Sequence, residues 1–120
     1  MAALRVLVAI EPRMYREVLA FHISQERPLS EVTLASSQSL QTQAEHTRPH
    51  LIIANEVPPE LKEEPFSSSY FLFRVEVRVE NGLVASVSAN GYSDTIHDVS
   101  LQDFLAVVDK AEEELAHDEF

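Results

Sequence analysis

The chain contains no cysteine, carries few cations and has no long hydrophobic run, and each absence removes a class of explanation. Without cysteine there are no disulfides, so the 120 residues must bury a core large enough to fold without covalent staples, as one domain of this size does. With 9 Lys and Arg against 20 Asp and Glu, the net charge is −11 and no basic cluster offsets it. Such a surface repels phosphate backbones and anionic lipid, which argues against direct nucleic-acid or membrane binding. The run LRVLVAI is too short to span a bilayer, and no signal-type apolar segment opens the sequence. The composition therefore points to a cytoplasmic protein with a single domain over residues 1–120.

What is present alternates between two periods. Leu4 to Ile10 reads as a strand covered on both faces, and Pro12 is placed like the first residue of a helix. From Arg13 to Glu26, Met14, Val18 and Phe21 together with Tyr15, Leu19 and Ile23 fall at three- and four-residue spacing, predicting one buried stripe, with Pro28 as the stop. Glu31 to Ala35 is a second short strand. Ser36 and Ser37 offer hydroxyl caps to a brief polar helix over Leu40 to Thr47, which Arg48-Pro49 ends. Leu51-Ile52-Ile53-Ala54 is a third strand, buried on both faces and closed by Asn55-Glu56. Strand, helix, strand, helix, strand in this order is the repeat of a parallel sheet with right-handed crossovers.

The second half follows another rule. Residues 59–69, with their acidic cluster and serine run, read as an exposed connection. Beyond it Phe73, Val75, Val77 and Val79 alternate with charged residues, Leu83, Ala85, Val87 and Ala89 continue the alternation, and Glu80-Asn81-Gly82 lies between. Pairing Val79 with Leu83, Val77 with Ala85 and Val75 with Val87 keeps one hairpin face apolar. A two-residue loop would mix the faces. That register predicts a type I turn followed by a G1 bulge, with Gly82 in the left-handed region. Ser100 with Asp103 forms a capping-box pattern flanked by Val99 and Phe104 at staple positions, so a helix should begin at Leu101. Leu101, Phe104, Leu105, Val108, Ala111 and Leu115 form its expected core stripe, and the tail from His117 is expected to fray.

Several polar groupings suggest chemistry but favour plainer roles. Ser93, Asp94 and His97 lie too close in sequence to form a triad and suit turn and capping roles. His46 and His50 have the spacing of zinc ligands on a helix, yet Pro49 interrupts it. Glu60, Glu63 and Glu64 lack the glycine-containing spacing of a calcium loop. His22 reads as a half-buried helix residue, and Tyr70, Phe71 and Phe73 as core or contact surface.

The segment RVLVAIEPRMYREVL, followed by EVTLAS and RPHLIIANEVPP, resembles the first half of a response-regulator receiver domain, the phosphoacceptor module of two-component signalling, over residues 4–59. The resemblance implies a three-layer, flavodoxin-like α/β fold. A βαβαβ half over residues 4–58 is joined to a hairpin and C-terminal helix over 70–116, which replace the usual second half. Receivers bind Mg²⁺ through an acidic pair ending the first strand and accept phosphate on an aspartate ending the third. The matching positions are Ile10 and Glu11, and Asn55. An amide cannot replace an ionised carboxylate as nucleophile. Ile10 removes an oxygen ligand from an ion that demands several in near-octahedral array. No Lys-Pro pair, another receiver feature, occurs. The resemblance thus implies a pseudo-receiver without catalytic residues, cofactor or metal.

The expectation is a phosphorylation-independent interaction module acting by protein docking or as a homodimer. Its candidate cleft is the C-terminal edge of the sheet, at Ile10, Glu11, Pro12, Asn55, Glu56 and Pro58. Its candidate dimer edge is the hairpin, where Arg74, Glu76, Arg78, Ser86 and Ser88 would pair with their own copy. The alternative is a small-ligand-binding α/β domain using the same cleft. A small hydrolase is disfavoured because the polar groups converge in no motif.

Overall fold

A computed structural model describes residues 3–58, 73–89 and 92–118. The connection at 59–69, together with Tyr70 and Phe71, lies outside the described residues. The described elements are β1 (Arg5–Ala9), α1 (Arg13–Glu26), β2 (Glu31–Leu34), α2 (Leu40–Thr47), β3 (Leu51–Ala54), β4 (Phe73–Val79), β5 (Leu83–Ala89), β6 (Tyr92–His97) and α3 (Leu101–Asp118). They form an α/β structure around one six-stranded mixed sheet, ordered β2-β1-β3-β4-β5-β6. The first four strands in that order pair parallel, and β4-β5 and β5-β6 pair antiparallel.

Alternation along the strands divides the core in two. Val6, Val8, Leu51, Ile53, Phe73, Val75, Val77, Ala85 and Val87 face α1 and α3. Leu7, Ala9, Ile52 and Ala54 face α2. Helices on opposite faces follow from crossovers of one hand running in opposite directions, β1 to β2 through α1 and β2 to β3 through α2. β1 and β3 are buried on both sides, hence their unbroken apolar runs. Beyond β3 the α2-side face turns polar, with Arg74, Glu76, Arg78, Ser86 and Ser88 at alternate positions.

Local chemistry sets the boundaries. Pro12 is the N-cap of α1, one residue earlier than a first helical position, and the Glu11–Pro12 peptide is cis. Ser36 and Ser39, not Ser37, organise the entry to α2: each backbone N–H donates to the other's hydroxyl, at 3.1 and 3.2 Å. The capping box at α3 is reciprocal, Ser100 N–H donating to Asp103 Oδ2 at 2.8 Å and Asp103 N–H to Ser100 Oγ at 3.2 Å. Val99 and Phe104 beside it are buried, and the helix runs on through Asp118.

The hairpin has the register expected from face matching, Val79 opposite Leu83 and Val77 opposite Ala85. Its turn differs from the expected one. Gly82 has the expected positive φ (123°), but Asn81 has it too (φ 52°), which a type I turn ahead of a G1 bulge does not allow. Asn and Gly are the residue types that tolerate positive φ, so Asn81-Gly82 can take this bend within the three-residue loop.

Two expectations are corrected. Tyr92–His97, taken as a loop, is strand β6 and covers β5. The hairpin therefore does not end the sheet, and Arg74, Glu76, Arg78, Ser86 and Ser88 sit on interior strands, β4 being paired with β3 as far as Glu76 and β5 being covered by β6. β6 also separates the Ser93, Asp94 and His97 grouping: strand alternation puts Asp94 on the opposite face, and Ser93 and His97 stand about 13 Å apart along the strand.

Arg27, the C-cap of α1, fixes that helix to α3 by a two-pronged contact with Asp109, at 2.6 and 2.8 Å. The hydrogen bonds from Arg27 hold the Asp109 carboxyl below its ordinary range. A depressed acidic pKa contributes stability above the unfolded-state value and loses it as pH falls through the folded-state value. Asp109→Asn should therefore lower the melting temperature at about pH 7, and the difference should shrink as pH falls through the folded-state value of Asp109. Gly82→Ala should destabilise by about 1–2 kcal/mol in urea unfolding, because a Cβ is strained at that φ.

Candidate functional site

The strand order reverses at β1: the chain leaves it for β2 on one side and returns to β3 on the other. The ends of β1 and β3 therefore bound the crevice where open α/β sheets present functional groups. Asn55, the first residue past β3, bridges that crevice. Its Oδ1 accepts the backbone N–H of Glu11 at 2.7 Å, and its Nδ2 donates to the carbonyl of Val77 at 3.1 Å. The orientation of the amide follows from its partners, one a donor and one an acceptor. Where the backbone ladder of β3 stops, the side chain continues it to both neighbouring strands.

The surrounding polar groups are likewise engaged. Glu11 Oε1 receives Arg16 Nη1 at 3.3 Å and the Ser37 N–H at 3.2 Å, and the same Arg16 nitrogen donates to the carbonyl of Ala35 at 2.9 Å. Glu76 Oε2 accepts the N–H of Val57 at 2.9 Å, which draws the chain after Asn55 onto the sheet and buries Val57. Ile10 is buried in the core facing α1 and α3 and brings no oxygen to the crevice. Among the described residues no three acidic or histidine side chains converge as metal ligands. Glu11 has its carboxylate on an arginine, Asn55 has its oxygen on a backbone N–H, and Glu56 brings a further carboxylate to the crevice. Asn55 itself is an amide and brings no carboxylate nucleophile to the end of β3.

Two openings flank the Asn55 bridge. On the α2 side, Ala9, Glu11, Ser37, Leu40, Asn55, Glu56 and Pro58 line an open hollow of mixed polar and apolar character, about 500 Å³. Of the expected cleft residues, Glu11, Asn55, Glu56 and Pro58 meet there, whereas Ile10 and Pro12 face the other opening. That second opening is an apolar groove of about 380 Å³ between α1 and the start of α3. Its walls include Met14, Tyr15, Val18, Val79, Leu83, Leu101 and Phe104.

Sequence reasoning missed the outer wall of this groove. The residues of α1 expected to form one buried stripe divide into two. Leu19, Ala20 and Ile23 are buried, but Met14 is 67% exposed, Tyr15 54%, Val18 52% and Phe21 66%. At about 100° per residue, Met14, Val18 and Phe21 lie nearly opposite Ile23, so the helix is apolar on two faces and the sheet covers one. Three- and four-residue steps link the two sets into one apparent stripe. A full helical wheel would have separated them. Val79 (80%), Leu83 (37%) and Leu101 (40%) continue the exposed apolar surface across the groove, which corrects Leu101 as a core residue; Val107 is buried in the helix instead.

The remaining singled-out residues are structural or peripheral. His46 is exposed, while His50 is buried with its Nδ1 accepting the Arg5 N–H at 3.0 Å. His22 is half-buried and Phe73 fully buried. No helix among the described residues is long and apolar enough to cross a membrane. The chain matches no family model, no curated protein and no solved structure.

Asn55→Asp keeps the acceptor for Glu11 but loses the donor to Val77. It should destabilise by about 1 kcal/mol, and Asn55→Ala, which loses both bonds, by about 2 kcal/mol, as read from denaturant midpoints.

Proposed function

We propose that the chain is a non-catalytic docking module, a pseudo-receiver whose phosphoacceptor position holds a structural amide and which acts by binding a protein surface. The observation that carries this reading is the exposed apolar groove beside the Asn55 bridge. Large apolar side chains are left half or more exposed on two adjoining elements, α1 and the β4–β5 hairpin, as at surfaces that a partner covers. The receiver-like part of the reading is supported by the parallel order β2-β1-β3 with helices on both faces, and by the coincidence of Asn55 and Glu11 with the crevice. Non-catalysis is supported by the amide at position 55 and by the engagement of Glu11 and Asn55 in internal bonds.

The hollow on the α2 side favours a second reading, a small ligand held at the crevice by Glu11, Ser37 and Glu56. A thermal-shift panel of metabolites separates the two, because only the second predicts stabilisation by a small molecule.

Incubation with acetyl phosphate and Mg²⁺ should leave the intact mass unchanged. Appearance of an acid-stable or acyl phosphate on any residue would overturn the non-catalytic reading.

A further inference from the structure

We infer that Asn81, at the tip of the β4–β5 hairpin, is a site of covalent modification, where the side-chain amide closes onto the Gly82 main chain and opens again with water to an isoaspartyl linkage.

Ring closure needs an amide carbon that can meet the main-chain nitrogen of the next residue, and the hairpin tip leaves both partners free. Glu80, Asn81 and Gly82 are all exposed. The bond that closes the loop runs from the Glu80 N–H to the Gly82 carbonyl at 2.8 Å, so it takes the Gly82 oxygen and leaves the Gly82 N–H without a backbone acceptor among the described residues. The Asn81 side chain is likewise in no hydrogen bond among the described residues. Gly82 has no Cβ to shield its nitrogen, and its φ of 123° keeps glycine at this position. Asn55 is the opposite case. Its Oδ1 and Nδ2 are both bonded, at 2.7 and 3.1 Å, and Glu56 beyond it carries a side chain. Asn90, also followed by glycine, lies outside the described residues.

The chemistry uses only the chain and water. The Gly82 nitrogen forms a bond to Asn81 Cγ, its proton and the side-chain NH₂ depart as ammonia, and a five-membered imide closes. Water then cleaves one of the two bonds from the imide nitrogen. Cleavage at Cγ gives aspartate, and cleavage at the main-chain carbonyl gives isoaspartate. One water is consumed, one ammonia is released, and nothing is oxidised or reduced.

The isoaspartyl product cannot keep the observed turn. It adds one methylene to the main chain between positions 81 and 82, inside a three-residue loop closed by the Glu80–Gly82 bond. It also places a carboxylate beside Glu80 and beside Asp98, whose Oδ1 would lie 2.6 Å from a Cβ on Gly82. Like charges at such range are destabilising. The Leu83 carbonyl accepts the Val99 N–H at 3.0 Å, so a shift of the turn reaches the residues that lead into α3.

The test is ageing of the full chain at mildly alkaline pH, followed by peptide mapping by mass spectrometry, with isoaspartate scored by an isoaspartyl-specific methyltransferase on the fragment that contains residue 81. An unstructured peptide with the sequence of residues 77–86 is the reference. Asn81 in the folded chain should convert at a rate within about tenfold of the peptide, because an exposed, unbonded tip has little local protection, while Asn55 stays intact. A rate more than about tenfold below the peptide, absence of isoaspartate at 81, or conversion of Asn55 as fast as Asn81 overturns the inference. Asn81→Gly tolerates positive φ but has no amide, and circular dichroism verifies its fold. Ageing should lower the urea midpoint of the wild type more than that of Asn81→Gly, and an equal loss in the two proteins overturns the structural consequence.

Discussion

The rest of the structure depends on how β3 is held at its two ends. Leu51–Ala54 is short, and its ladder to β1 and β4 would stop after four residues. Side chains carry it further at both termini. At the start, His50 donates its N–H to Arg5, accepts the Arg5 N–H on Nδ1, and receives the Phe73 N–H on its carbonyl. At the finish, Asn55 accepts from Glu11 and donates to Val77. The two residues that flank the apolar run HLIIAN therefore splice the outer parallel strands to the hairpin half of the sheet. A carboxylate at position 55 would supply only acceptors, and a protonated imidazole at position 50 only donors, so neither splice would close.

This splice also positions the groove. Glu11 is fixed from one side by Asn55 and from the other by Arg16 and Ser37, which sets the direction in which the chain turns at Pro12 into α1. At the far end Arg27 ties α1 to Asp109 on α3. With both ends pinned, α1 buries Leu19, Ala20 and Ile23 on the sheet and keeps Met14, Val18 and Phe21 outside. An exposed apolar row of this kind ordinarily invites self-association. A net charge of −11 opposes it, so acidity and the uncovered helix face are two parts of one arrangement.

Much of this was legible in the sequence, for identifiable reasons. Element types followed from periodicity: the run Leu51–Ala54, the alternation through Phe73–Val79 and Leu83–Ala89, and the Ser100–Asp103 cap each have a local cause. Even the hairpin register followed, because opposite residues share a face and only one pairing kept that face apolar. What escaped depended on tertiary context. β6 alternates weakly, Asp94 standing where an apolar residue would mark the buried face, so YSDTIH resembled a turn. Asn55 was found by its position after an apolar run, but its two partners lie 44 and 22 residues away. No local rule names them. The two faces of α1 shared one spacing, and which of them meets the sheet is decided by where β1 ends.

The sheet edges sharpen where recognition is available. β2, at one edge, has four residues, too short to template much pairing. β6, at the other, is longer, but Asp94 Oδ1 accepts the N–H of Thr95 at 2.9 Å and so withdraws a donor that an incoming strand would need. Placing a charged residue on an edge strand is a general device against edge-to-edge pairing. Both open edges of the ladder are thus poor docking surfaces, and β4 is paired with β3 from Phe73 to Glu76 and with β5 from Arg74 to Val79. The side-chain surface between α1, the hairpin and the start of α3 is what the fold leaves uncovered, and it is apolar where the rest of the chain is acidic. On the docking reading a partner there meets side chains that α1 positions, so the amide at the end of β3, which fixes Glu11 just ahead of Pro12, bears on a helix it never touches.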